Sequence, residues 1–239
     1  MRGLVIVFLC GACATTAPSV APTPTEASET GDYKEAVARA EAADLDGALA
    51  IMNRRGAALE AAGRWDAAAL CWNTTTWIRW AKGDLDGALR ENQRMGEILG
   101  KVEPEARAGL NLHTVWDRAY LLRDRADRVD PPERQAALAA AEAARTEYDR
   151  IAPPEESDGI AVLDAYFAWR SGDLDAAATA ARKVDLDHDR DAQDLFIIAR
   201  VLGDAGDPVT AERARAPIAD LHYMMPPLLR FWDKTSSRK

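Results

Sequence analysis

From residue 31 onward one arrangement of polar and apolar positions keeps returning: Gly, a polar residue, an apolar or aromatic residue, one or two polar residues, then Ala. Clear copies run from Gly31 to Ala36, Gly63 to Ala68, Gly83 to Ala88 and Gly172 to Ala177, and weaker ones from Ala43 to Ala48 and Gly206 to Ala211. Each reads as a helix–turn–helix junction. Gly takes the left-handed conformation that ends one helix, the following Asp caps the next, and the Ala leaves room for a close crossing. Between Gly83 and Gly172 the motif lapses, and Pro104-Glu105, Asp130-Pro131-Pro132-Glu133 and Ala152-Pro153-Pro154-Glu155 punctuate the chain instead, with Pro at early helical positions where its missing N–H costs nothing. The pattern predicts an all-α chain of about ten helices, at 33–42, 46–62, 65–81, 84–100, 104–128, 131–151, 157–171, 173–184, 190–204 and 207–216. The apolar stretch from Leu221 to Trp232 is expected to cover the open end of the array.

The turn motif resembles the inter-helix turn of the tetratricopeptide repeat, over about residues 31–100 and 157–216. Gly172 and Gly206 lie 34 residues apart, which is that family's period, and Gly31 and Gly63 lie 32 apart. Small residues, Gly56, Ala165 and Ala199, stand seven positions before a turn Gly, as they do in the family. Departures are the absent closing Pro and the interval of 20 residues between Gly63 and Gly83, which makes one helix serve two turns. The resemblance implies an α-α superhelix over residues 31–239. It also implies a binding groove lined by first-helix side chains, for which the turn positions give Asn53, Tyr166, Trp169, Arg170 and Arg200. They do not reproduce the Lys/Asn/Arg set with which some members clamp a C-terminal carboxylate.

The N-terminus has a different pattern. Met1-Arg2-Gly3 is followed by an unbroken apolar run from Leu4 to Leu9 that continues through small residues to Ala12, the shape of a signal peptide and too short to span a membrane. Leu9-Cys10-Gly11-Ala12-Cys13 resembles a bacterial lipobox. Cys13, preceded by Gly11 and Ala12, fits the lipidated position better than Cys10, which follows Phe8-Leu9. Ala12-Cys13-Ala14 also has the A-x-A form of ordinary cleavage, which would give a soluble periplasmic or secreted protein. The expected organisation is a signal peptide at 1–12, a flexible tether at 13–30 and the helical domain at 31–239. Ala14 after the Cys points to an outer-membrane anchor facing the periplasm.

Composition sharpens this picture in three ways. Alanine supplies 48 of 239 residues, which favours helix and close helix packing. A net charge of −9 leaves no electrostatic footprint for nucleic acid. After loss of residues 1–12, Cys71 is the one cysteine besides Cys13; it lies between Leu70 and Trp72 and is expected to be a small buried hydrophobe.

Candidate chemistry is sparse. Trp65, Trp72, Trp77 and Trp80 occupy one predicted helix, where at about 100° per residue Trp77 lies about 140° from Trp72 and Trp80 about 80°. That helix is either sandwiched in a core or presents Trp77 or Trp80 to a groove as an aromatic anchor. Asp185-Leu186-Asp187-His188-Asp189-Arg190-Asp191 alternates carboxylates like a calcium loop, but Arg190 and Phe196 fail at its sixth and twelfth positions, so no metal is expected. Arg118, Arg123, Arg125 and Arg128 interleave with Asp117, Asp124, Asp127 and Asp130, which predicts a solvated face of pairs such as Asp124 with Arg128. His113 and His222 belong to no metalloprotease pattern, and no nucleophile elbow or phosphate loop is present, so no catalytic residue or cofactor is expected. These readings converge on an exported, lipid-anchored adaptor that binds an envelope protein or polymer. The alternative is a helical envelope enzyme or substrate-binding lipoprotein with a pocket near Trp77, Trp80 and His113.

Overall fold

The computed structural model describes residues 24–187 and 192–220. Cys10, Cys13, the signal peptide, most of the expected tether and the apolar stretch 221–232 lie outside the described residues, as do His188 and His222. Ten α-helices follow in order: α1 (Pro24–Glu41), α2 (Leu45–Ala61), α3 (Trp65–Ala81), α4 (Leu85–Ile98), α5 (Pro104–Ala126), α6 (Pro131–Ile151), α7 (Ser157–Ser171), α8 (Leu174–Ala181), α9 (Ala192–Asp204) and α10 (Pro208–Arg215). No strand occurs among the described residues, and the fold is all-α. Short 3-10 turns follow α4 and α10 and precede α7.

The helices form where the turn chemistry puts them. Positive φ among the described residues falls at Ala43, Gly63, Gly83, Gly172 and Gly206, the first residues of five predicted turns. At four of them the next residue is an Asp whose carboxylate accepts the backbone N–H three positions on: Asp44 from Gly47, Asp84 from Gly87, Asp173 from Ala176 and Asp207 from Thr210. The motif's Ala then packs at the crossing, with Ala48, Ala68, Ala88 and Ala177 all completely buried. Gly31 departs from this scheme. It lies inside α1, which starts at Pro24 rather than near residue 33, so residues 24–30 of the expected tether are helical.

Each helix packs chiefly on its neighbours in sequence, and α3, α5, α7 and α9 also touch one another in that order. Two cores result. The first joins Met52, Leu59, Trp72, Met95 and Leu110 from α2 to α5, and the second joins Trp80, Tyr120, Leu163, Ile198 and Ala211 from α3 to α10. Helix α3 feeds both, which is why it is buried almost all round. At its crossing with α2, Gly56 makes room for Trp72: a Cβ there would lie 2.8 Å from the indole. Cys71 is buried in the first core, as expected. Among the described residues no helix is long and apolar enough to cross a membrane.

Candidate functional site

The two features with functional potential are a buried polar–aromatic network along α3, α5 and α7, and an open groove between α6 and the α7–α8 pair.

The network begins in the sequence Trp72-Asn73-Thr74-Thr75-Thr76-Trp77, whose polar residues are all buried in mid-helix. The three Thr hydroxyls donate back to carbonyls of their own helix, Thr74 to Leu70 at 3.0 Å and Thr75 and Thr76 to Trp72 at 2.9 and 2.8 Å. Asn73 Nδ2 and Trp77 Nε1 both donate to Asp117 Oδ2 of α5, at 2.6 and 3.2 Å. One turn-pair further on, Asp124 Oδ2 accepts from Trp80 Nε1 at 2.8 Å and its Oδ1 accepts from the Tyr166 hydroxyl, while Arg170 of α7 pairs with it at 3.0 Å. Carboxylates seven residues apart on α5 thus tie α3 and α7 to the same helix. Rings fill the space between: Trp77 stacks on Trp116 at 6.2 Å, Trp116 meets Tyr120 edge-on at 4.8 Å, and Tyr120 meets Tyr166 at 4.6 Å.

This burial bears out the sandwiched reading of Trp77 and Trp80 over the groove reading, and it corrects the expectations for Tyr166 and for the charges of α5. Trp77 is 8% exposed, Trp80 0% and Tyr166 2%, so all three are core residues with occupied polar atoms rather than exposed anchors. Asp117, Arg123 and Asp124 are also buried, and the expected Asp124–Arg128 pair is absent: Asp124 engages Arg170, and Arg128 donates to the Gly83 carbonyl at 3.1 Å. A solvated face was expected because the charges balance along the helix; the partners that bury them come from α3 and α7, distant in sequence. Of the other groove candidates, Trp169, Arg170 and Arg200 lie together beside Tyr166 on α7 and α9, with the Arg170 guanidinium 5.9 Å from the Trp169 ring, and Asn53 lies apart. Trp169, Arg170 and Arg200 are half-buried, with the Trp169 indole donating to Asp204 at 2.9 Å and Arg200 approaching that carboxylate at 3.4 Å. Asn53 lies half-buried on α2, outside the α3–α5–α7–α9 row.

Titration in the network follows burial. Desolvation raises the Tyr120 and Tyr166 hydroxyls well above their ordinary value, with nearby carboxylates adding to the effect. The Tyr120 hydroxyl is buried without a hydrogen-bond partner among the described residues. Burial opposes ionisation of Asp127, yet Arg123 and Arg170 outweigh it and hold the carboxyl below its ordinary value. Desolvation lowers His113 to about 4.

The groove encloses about 960 Å³ and opens broadly to solvent. It exists because α6 packs chiefly on α5 and touches α7 only lightly, the connection between them passing through Pro153 and a 3-10 turn instead of a glycine turn. Leu138 and Ala139 of α6, Phe167 and Ala168 of α7 and Ala180 of α8 give it an apolar lining. Arg123, Arg134, Arg145 and Lys183 supply positive charge, against Glu142 and Asp164. Arg145 spans the groove from α6 to Asp164 on α7 at 2.7 Å, with its guanidinium 5.9 Å from the Phe167 ring. None of the candidates read from the sequence lines this groove. A signal for it was present in the lapse of the turn motif between Gly83 and Gly172.

Among the described residues no group of His, Cys, Asp or Glu is arranged to hold a metal ion. No protein-family model, curated protein or solved structure matches the chain.

Proposed function

We propose that this protein is an exported helical-repeat adaptor, anchored through a lipid on Cys13, whose helical pairs stack as an α-α superhelix to bind another component of the cell envelope. The observation that carries the reading is the groove between α6 and the α7–α8 pair. It is wide, open and lined by apolar side chains with charged groups at its margins, the composition of a surface that takes up a macromolecular segment. The turns support the repeat reading, since five of them share a left-handed residue and four an Asp cap followed by a buried Ala. The tetratricopeptide-like motif supports the repeat part of this reading, and the lipobox-like Leu9–Cys13 the anchored part.

Proximity labelling from the full-length chain in its own envelope tests the binding role. A small, reproducible set of envelope components is expected, and it should shrink when Cys13→Ser releases the protein from the membrane. Labelling no different from that of an unrelated lipoprotein would refute the adaptor role. Incorporation of labelled palmitate, lost in Cys13→Ser, tests the anchor; a labelled variant would refute it.

A further inference from the structure

The groove contains more than an apolar lining. Arg123 is 3% exposed, so its charge is held in the wall by the fold, and among the described residues its guanidinium makes one hydrogen bond, from Nη1 to Asp127 at 2.6 Å. Asp127 is shared. Arg170 donates to it from α7 at 2.9 Å, and Arg134 of α6 approaches it at 3.5 Å with about half of its own side chain exposed. Three guanidinium groups therefore surround this carboxylate, Arg170 dividing itself between Asp127 and Asp124, and the other two, Arg123 and Arg134, line the groove. At the margin beyond α8, Lys183 is exposed and makes no ion pair among the described residues. The acidic groups lie apart from these cations: Asp164 and Glu142 share the one guanidinium of Arg145 in the middle of the groove, so the cationic surplus is local to the Asp127 end and to Lys183. The surplus is cationic in a chain of net charge −9.

We propose that the groove binds an acidic amphipathic segment of a partner protein, laying its apolar side on Phe167 and Leu138 and its carboxylates against Arg123, Arg134 and Lys183. This rests on the adaptor reading and names the chemistry of its partner. Charge complementarity selects carboxylates, and Arg presents the planar fork that receives them. The apolar lining selects a polypeptide with an apolar stripe over an anionic polymer, which has nothing to place on Phe167.

The test uses the full chain and a fluorescent amphipathic peptide of Leu, Ala and Glu. Two comparison probes are the same peptide with Lys in place of Glu, and polyphosphate. Anisotropy titration is expected to show binding of the Glu peptide alone, strengthened in the wild type when salt is lowered and weakened about tenfold or more in R134E/K183E. Both substituted positions are exposed, and an unchanged thermal midpoint shows that the variant is folded. Equal binding of the Glu and Lys peptides, unchanged affinity in R134E/K183E, or full displacement of the peptide by polyphosphate would each overturn the proposal. Proximity labelling repeated with R134E/K183E separates the two readings. A wild-type partner set that survives the charge reversal removes the groove assignment and leaves the adaptor role; absence of any set, with the peptide still bound, removes the adaptor role alone.

Discussion

Removing the Asp124 carboxylate should cost more stability than removing any other carboxylate of α5. Asp124 is 3% exposed and receives Trp80 Nε1, the Tyr166 hydroxyl and Arg170. In Asp124→Ala the indole and the phenol, which are 0% and 2% exposed, keep their donors and lose their acceptor. Each buried donor left unpaired costs about 1–3 kcal/mol. The broken ion pair adds to this toward the lower end of about 3–5 kcal/mol, because Arg170 retains Asp127. These losses overlap, so the expected total is about 3–6 kcal/mol, a large part of the stability of an ordinary domain. Urea unfolding followed by Trp fluorescence and far-ultraviolet circular dichroism measures it, and coincident transitions license the two-state value. Tyr166→Phe supplies the discriminating arm. In the wild-type background it should destabilise by about 1 kcal/mol, whereas in Asp124→Ala it should be neutral or stabilising, because it removes an orphaned hydroxyl. A loss below about 1 kcal/mol for Asp124→Ala, or equal effects of Tyr166→Phe in both backgrounds, would refute the view that this carboxylate holds α3 and α7 to α5.

Two glycines should respond oppositely to alanine. Gly56→Ala drives a Cβ into Trp72 and should destabilise by about 1–3 kcal/mol, while Gly203→Ala, whose Cβ would meet its nearest neighbour at 3.9 Å, should stabilise by about 0.5–1 kcal/mol; thermal melts of the pair check the sign. His113, lowered to about 4, is neutral when folded but takes up a proton when unfolded below its ordinary value of 6.5, so stability should fall as pH drops through the interval between those values, and His113→Gln should flatten that slope. Further acidification should remove the contributions of Asp44, Asp84, Asp127 and Asp207. Their carboxyls are held below the ordinary value, so their stabilisation is present above it and lost as pH falls through the folded values; a urea midpoint indifferent to pH below about 4 would contradict this.

The helices were legible because their ends are locally encoded. Gly63, Gly83, Gly172 and Gly206 stop a helix through their own backbone freedom, and Asp84, Asp173 and Asp207 start the next by reaching three residues ahead, so no distant contact is needed. Even the rule of a small residue seven positions before the turn extends to Ala36 before Ala43 and Thr76 before Gly83, both buried. Gly31 shows the limit of such a signal. The same six-residue pattern lies within α1 because no left-handed residue is formed there, and a motif that permits a turn does not compel one.

The site was much less legible, and for one physical reason in both of its parts. Side-chain partnership across helices depends on which faces meet, and that is set by packing over long sequence separations. Asp117 and Asp124 look like a solvated stripe until Asn73, Trp77 and Trp80 arrive from α3 and Tyr166 and Arg170 from α7. Their bonding also explains why Trp77 and Trp80 are tolerated on a helix with no apolar periodicity: each indole N–H is satisfied by an α5 carboxylate, so both rings can be buried whole. The groove follows from the same logic in reverse. Where α6 leaves α5 without a glycine turn to fold the next helix back on it, Phe167 and Leu138 lack a covering neighbour, and Arg145 bridges to Asp164 across the opening. Arg123 is fixed in its wall by Asp127, and Arg134 and Lys183 stand at its margins. The groove therefore opens where the repeat signal lapses, between α6 and the helical pair with which the signal resumes.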